Sequence, residues 1–152
     1  MLIRTHLSIT LFFVLLFISV VEYKFAFVLV ALLATFIPDA DSKFSTLGKR
    51  KSLRVLQFFI KHRGVMHSFG FLILVTLFLV LFFPIISLGF FLGYGTHLLA
   101  DSFTVQGVRL FYPLKKKSCG RIRTGKRTET IVFVVFLIGN LWLLIWKVLL
   151  LF

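Results

Sequence analysis

The chain has 152 residues, of which 59% are hydrophobic and 21 are Phe, with a mean hydropathy of +1.03. That exceeds what one soluble core can absorb, so the composition excludes an ordinary water-soluble domain of this length. The formal charge of +13 comes with one cysteine, Cys119, which excludes an internal disulfide and a four-thiolate zinc site.

Five apolar segments follow in order, and we expect an all-α integral membrane bundle of about five helices, folded as a single membrane-embedded domain over residues 1–152. The helices are expected at about residues 5–21, 24–38, 64–83, 84–103 and 130–151, with basic loops at 42–63 and 105–128. A crossing takes roughly 17–25 residues. The fifth segment meets that length alone, and the middle pair do so once Pro84 is taken as the first residue of a new helix. The first two are short and borrow flanking residues. Arg4 followed by Leu7–Val21 has the shape of a secretory leader, but Val20-Val21-Glu22-Tyr23 offers no small-x-small cleavage pattern, so the segment reads as a retained helix. Ser52–Lys61 reads as an amphipathic stretch lying in the interface. Gly89 and Gly93 have the small-xxx-small spacing that lets helices approach closely.

Charge sets the expected orientation. Of 18 Lys and Arg, seven lie in residues 43–63, eight in 109–127, and Arg4 is at the amino end, leaving only Lys24 and Lys147 toward the other face. Short basic loops stay in the cytoplasm, so the amino terminus and the basic face are expected to be cytoplasmic, at a multi-pass cell (inner) membrane protein. The same loops would attract anionic lipid headgroups. Nucleic acid is a poor partner, because no soluble aromatic-interleaved module hosts it.

The titratable residues sit at the ends of the apolar segments. His6 opens the first, Asp39 and Asp41 follow the second, His62 and His67 precede the third, and His97 and Asp101 close the fourth. An even number of passes would return all of them to one face. His97 and Asp101, four apart on a helix, share a side and can converge on one ion. Imidazole plus carboxylate suits zinc first, then manganese or iron, and not calcium. We expect His6, Asp39, His67, His97 and Asp101 as metal ligands. Asp41 and Glu129 are candidate bases, Arg63 suits a phosphate oxygen pair, and His62 is a candidate acid for the leaving group.

Thr5-His6, Pro38-Asp39-Ala40-Asp41, His62-Arg63-Gly64-Val65-Met66-His67-Ser68, His97-Leu98-Leu99-Ala100-Asp101-Ser102 and Tyr112-Pro113, in that order, resemble the YdjM-like inner-membrane metal-dependent hydrolases. The resemblance implies a multi-helix membrane protein with a cytoplasmic-face metal site. More distantly, the order His, Pro-Asp, His, His-x-x-x-Asp is similar to the zinc-dependent phospholipase C group. That group has a later His-x-x-x-Glu pair, whereas no histidine follows His97 here, and Glu129 is the carboxylate available to replace one lost ligand. The expected function is therefore a membrane-bound hydrolase, a phosphoesterase acting on a lipid or lipid-linked phosphoester. The alternative is a non-catalytic membrane protein with a structural metal site. Transport ranks last, because the mid-segment residues are almost purely Leu, Ile, Val and Phe, with Ser87 and Thr76 the mild exceptions. Composition leaves the oligomeric state open.

Overall fold

A computed structural model describes residues 1–41 and 65–149, with the side chains of Ala40 and Asp41 left out. Five α-helices make up the described chain: α1 Ile3–Phe17, α2 Lys24–Ala34, α3 Phe69–Phe82, α4 Pro84–Ser102 and α5 Arg127–Leu149. No strand occurs among the described residues, and two isolated β-bridges, Thr104 to Ile122 and Val108 to Ser118, pin the loop between α4 and α5. The fold class is thus all-helical.

Local chemistry accounts for the element ends. Ser68 caps α3 by accepting a hydrogen bond from the Phe71 N–H at 3.2 Å, while its hydroxyl donates to the Val65 carbonyl at 2.6 Å. Phe83 leaves helical geometry (φ −141°, ψ 60°), and Pro84 then opens α4 at a position where its missing N–H costs nothing. A 3₁₀ turn, Pro38–Asp41, follows α2, and another, Val65–His67, leads into α3.

By length and composition, Ile3–Val20 and Arg127–Leu149 are long and apolar enough to cross a bilayer. The expectation of about five helices is met among the described residues, and these two are the ones that are both long and apolar enough to span. α2 has 11 residues and α3 has 14, or about 16 and 21 Å at 1.5 Å per residue, against a hydrocarbon core of about 30 Å. The ends expected for these segments are taken by 3₁₀ turns instead of helix. α5 buries only Glu129, Asn140 and Leu143, and presents Trp142, Trp146 and a series of large aliphatic side chains outward. That is how a helix facing hydrocarbon looks.

The core lies between α2, α3 and α4. Tyr94, Leu98, Leu72, Ala34 and Phe90 form one cluster, completed by Val108 and Leu110 from the α4–α5 loop. The second basic loop is therefore folded back onto the bundle. The Phe69 N–H donates to the Leu110 carbonyl at 2.8 Å, and Gly107 turns the chain with φ +59° in the left-handed region that favours glycine.

Gly89 and Gly93 let α4 lie against the backbone of α2. A β-carbon at Gly93 would run into the Ala31 backbone, and one at Gly89 would lie 2.9 Å from the Phe27 carbonyl oxygen. Gly95, on another side of the helix, would meet only Leu72 Cδ2, at an ordinary 3.6 Å. We therefore expect Gly93→Ala to destabilise the fold by about 1–3 kcal/mol through overpacking. Gly95→Ala should be neutral or slightly stabilising, because alanine is the better helix former. Unfolding in mixed detergent, followed by circular dichroism, separates the two; equal midpoints would mean that α2 and α4 do not pack through Gly93.

Candidate metal centre

Because α1 and α2 run antiparallel, as do α3 and α4, the start of α1, the turn after α2, the turn before α3 and the end of α4 meet at one end of the bundle. His6, Asp39, His67, His97 and Asp101 are brought together there. Two sets of three, His6–His97–Asp101 and Asp39–His67–His97, each offer ligand atoms that lie within 4.8 Å of one another. His97 belongs to both.

Asp101 is the hub. Its Oδ1 lies 3.3 Å from His6 Nε2, and its Oδ2 lies 3.8 Å from His97 Nε2 and 3.9 Å from His67 Nε2. The Met1 amino group donates to Oδ1 at 2.6 Å, so this lobe carries a cationic partner and Oδ2 faces the two remaining imidazoles. The His6 and His97 rings stack with centroids 3.9 Å apart and planes 5° apart, and the His67 ring stands edgewise to His97 at 5.8 Å. Asp39 Oδ1 is 3.8 Å from His97 Nε2. The three histidines are at most 1% exposed, whereas the Asp39 side chain is 27% exposed, so the cluster opens on that side. Burial raises the Asp39 carboxyl above its usual range; His6 pulls it down and Asp101 pushes it up.

The donor atoms fit a divalent ion. His97 Nδ1–H donates to the Thr35 carbonyl at 2.8 Å, which fixes the ring and leaves Nε2 to face the cluster. Among the described residues, His97 Nε2 and His6 Nδ1 make no hydrogen bond, although both are buried. An unsatisfied buried polar atom costs about 1–3 kcal/mol. Structural zinc binding is worth about 10–16 kcal/mol in small metallo-domains, far more than the cost of holding a few such atoms ready. Three imidazoles and two carboxylates form a mixed nitrogen and oxygen set that suits zinc, manganese or iron.

Nearby elements hold this geometry. The Tyr94 hydroxyl donates to the Met66 carbonyl, fixing the turn that carries His67. Below His97, three buried hydroxyls join three helices: Thr10 Oγ1 lies 2.9 Å from Thr35 Oγ1 and 2.8 Å from Thr96 Oγ1. Thr35 also donates to the Ala31 carbonyl at 2.8 Å. Sequence reasoning passed over Thr10, Thr35 and Thr96, and also Asn140, whose Nδ2 donates to the Ser8 carbonyl at 3.0 Å. The signal was present in two forms: these are polar groups at membrane depth, where they are expensive, and Thr10 stands one helical turn from His6.

Glu129 stands apart from the five. Its Oε1 accepts the Leu2 N–H and its Oε2 accepts the Gly125 N–H, each at 2.5 Å, so both oxygens hold backbone instead of facing the cluster. It ties the start of α1 to the turn before α5. Glu129 is in neither set of three ligand-type residues among the described residues. Glu129→Gln is expected to lower stability by about 1–3 kcal/mol, since an amide has only one acceptor oxygen. Metal content should be unchanged by elemental analysis, and a loss of metal in a folded variant would return Glu129 to the site. Asp41's side chain, His62, Arg63 and the stretch Ser52–Lys61 lie outside the described residues.

A family model described as YdjM inner membrane protein matches residues 1–152. The chain belongs to that family. Two helices long and apolar enough to cross a bilayer agree with an inner membrane protein. No curated protein and no solved structure matches the chain. The distant likeness to zinc-dependent phospholipase C stays an expectation from the order of His and Asp in the sequence.

Proposed function

We propose that this YdjM family member is a multi-pass, metal-dependent phosphoesterase. It would act on a lipid or lipid-linked phosphoester at the cytoplasmic surface of the inner membrane. One observation carries the reading: five buried or half-buried ligand-type side chains from four separate stretches of chain converge at the end of the bundle. At the same end lie Arg4 and the basic residues of 109–127, while Lys24 and Lys147 lie at the other. Short basic loops favour the cytoplasm, which supports that orientation, and they would raise the local concentration of anionic lipid.

In this reading His6, Asp39, His67, His97 and Asp101 hold one or two divalent ions, zinc first. When bound, such an ion supplies Lewis acidity and lowers the pKa of a water toward neutrality. The protein's own groups do the remainder. Thr35 fixes the His97 ring through its carbonyl, and the Met1 amino group holds one lobe of Asp101. Asp41, His62 and Arg63, whose side chains lie outside the described residues, are by residue type the candidates for water base, leaving-group acid and phosphate contact.

A second reading has its own support. Three histidines at most 1% exposed suit a metal that braces helix ends without turnover. Both readings require bound metal, and only one yields product. The test is phosphorus-product analysis of radiolabelled membrane lipids incubated with zinc-loaded protein. Release of a phosphorus-containing product by the wild type, and not by Asp39→Ala, supports the phosphoesterase. Full metal content with no product from any lipid leaves the structural reading.

A further inference from the structure

The loop between α4 and α5 carries a closed lobe, residues 109–117, whose base is made by Val108 and Ser118. The Val108 N–H donates to the Ser118 carbonyl at 3.0 Å, and the Ser118 N–H donates to the Val108 carbonyl at 2.8 Å. Val108 and Leu110 are buried in the core, so the lobe is fixed to the bundle. Its tip is two linked turns: the Tyr112 N–H donates to the Arg109 carbonyl at 3.2 Å, and the Leu114 N–H to the Phe111 carbonyl at 2.9 Å. That tip is apolar and faces outward, with Phe111 64% exposed, Leu114 65% exposed and Tyr112 between them. Lys115, Lys116 and Lys117 follow at once, all of them exposed.

We propose that this lobe is an interfacial anchor: Phe111, Tyr112 and Leu114 enter the upper hydrocarbon of an anionic glycerophospholipid leaflet, and the three lysines hold its headgroups. The inference uses the membrane setting of the family and needs neither the metal nor the orientation proposed above. The depth of the lobe is the first support. The Phe69 N–H donates to the Leu110 carbonyl at 2.8 Å, which sets the lobe beside the first residue of α3, where the apolar helix surface begins. The tip is also continuous with that surface. The Phe111 ring meets Phe69 edgewise with centroids 5.7 Å apart, and Phe69, Ile73 and Leu77 form one row at i, i+4 spacing. Ile73 and Leu77 are exposed, so Phe111 extends the outward apolar row of α3 beyond its amino end. Charge then decides the occupant. Residues 102–128 hold eight Lys or Arg and no Asp or Glu. Such a surface is drawn to anionic headgroups, and lysine stems lie along apolar surface while their ammonium groups stay in the polar layer. A second copy of the chain would bring the same charge, because the whole chain has five Asp and Glu against 18 Lys and Arg. Attraction alone would leave the lobe above the headgroups. The apolar tip carries it into them, as aromatic side chains at membrane borders do.

The experiment uses the full chain with Trp142→Phe and Trp146→Phe, both outward residues, so that Tyr112→Trp supplies the only indole. This chain is reconstituted in vesicles of phosphatidylcholine and phosphatidylglycerol at equal mole fraction, with bromine near the top of the acyl chains of one lipid or the other. Brominated phosphatidylglycerol is expected to quench the fluorescence from position 112 several-fold more strongly than brominated phosphatidylcholine. Lys115→Gln, Lys116→Gln and Lys117→Gln together should abolish that difference and leave the helical content unchanged. Quenching by aqueous acrylamide with none by bromine places the tip in water and overturns the proposal. Quenching by neither means that protein covers the tip, which overturns it as well. Equal quenching by the two lipids removes the anionic partner and has the same consequence. Should the triple lysine variant fail to fold, the comparison of the two lipids still decides. Both leaflets are brominated, and metal is measured on the same vesicles. An empty metal centre would therefore sink the phosphoesterase and leave the anchor standing, and an indole out of reach of bromine would do the reverse.

Discussion

Replacing His97 with Ala is expected to strip the protein of bound metal and to do so more completely than replacement of any other histidine. His97 is the residue shared by the two ligand sets, and its Nε2 faces Asp39 and Asp101 at 3.8 Å each. His6 and His67 each belong to one set, so His6→Ala leaves Asp39, His67 and His97 in place. Removing even an outer-shell partner commonly costs 10–100-fold in metal affinity, so loss of His97 should cost at least about 100-fold. Elemental analysis after equilibration with buffered zinc gives the stoichiometry. A graded result, with half the metal lost in His6→Ala and nearly all lost in His97→Ala, indicates two ions. Equal losses in all three histidine variants indicate one. Unchanged metal in His97→Ala, with the helical content retained, would falsify the site. The substitution also removes the hydrogen bond to the Thr35 carbonyl and should lower stability by about 1–3 kcal/mol, so circular dichroism accompanies the metal measurement.

Asp101→Asn is expected to be comparably severe for metal and informative in a different way. The amide keeps the volume and the hydrogen-bonding reach of the carboxylate while removing its charge. In the native protein that charge faces His6 at 3.3 Å and the other two imidazoles at 3.8 and 3.9 Å, and it also holds the Met1 amino group. Without it, Asp39 is the remaining carboxylate of the five. We expect zinc affinity to fall by at least about 100-fold, with the fold largely kept. Competition with a chromogenic chelator measures the affinity. A change of less than tenfold would mean that Asp101 serves only as the counter-ion of the amino terminus, and the ligand sets would have to be redrawn.

Some of this was legible in the order of residues. Five apolar segments separated by prolines and basic loops specify helices in an apolar setting. Placing His6, Asp39, His67, His97 and Asp101 at alternate segment ends requires only that each segment reverse the last. The structure gathers those five residues as that rule demands. It ends α2 at Ala34, well short of a crossing, where the bonds of Phe36 and Ile37 tighten to the carbonyls of Leu33 and Ala34 ahead of Pro38, which cannot continue the helical hydrogen bonds. That outcome depends on local bonds that hydropathy does not register.

Other features were decided only by packing in three dimensions. Glu129 carries the residue type of a ligand or a base, and its assignment as a backbone clamp came from the approach of Leu2 and Gly125, residues remote from each other in the chain. Thr10, Thr35 and Thr96 each looked like an ordinary helix residue until α1, α2 and α4 brought their hydroxyls together. The basic loop 105–128 read as a cytoplasmic loop drawn to anionic headgroups, yet Val108 and Leu110 are buried against Leu72 and Leu98. Hydrophobic periodicity and charge act over a few neighbouring residues, so the sequence by itself determined the helices, the basic end and the kind of chemistry available. Which donors meet, and which oxygens are already taken, depends on contacts between distant segments, and only the tertiary structure decided those.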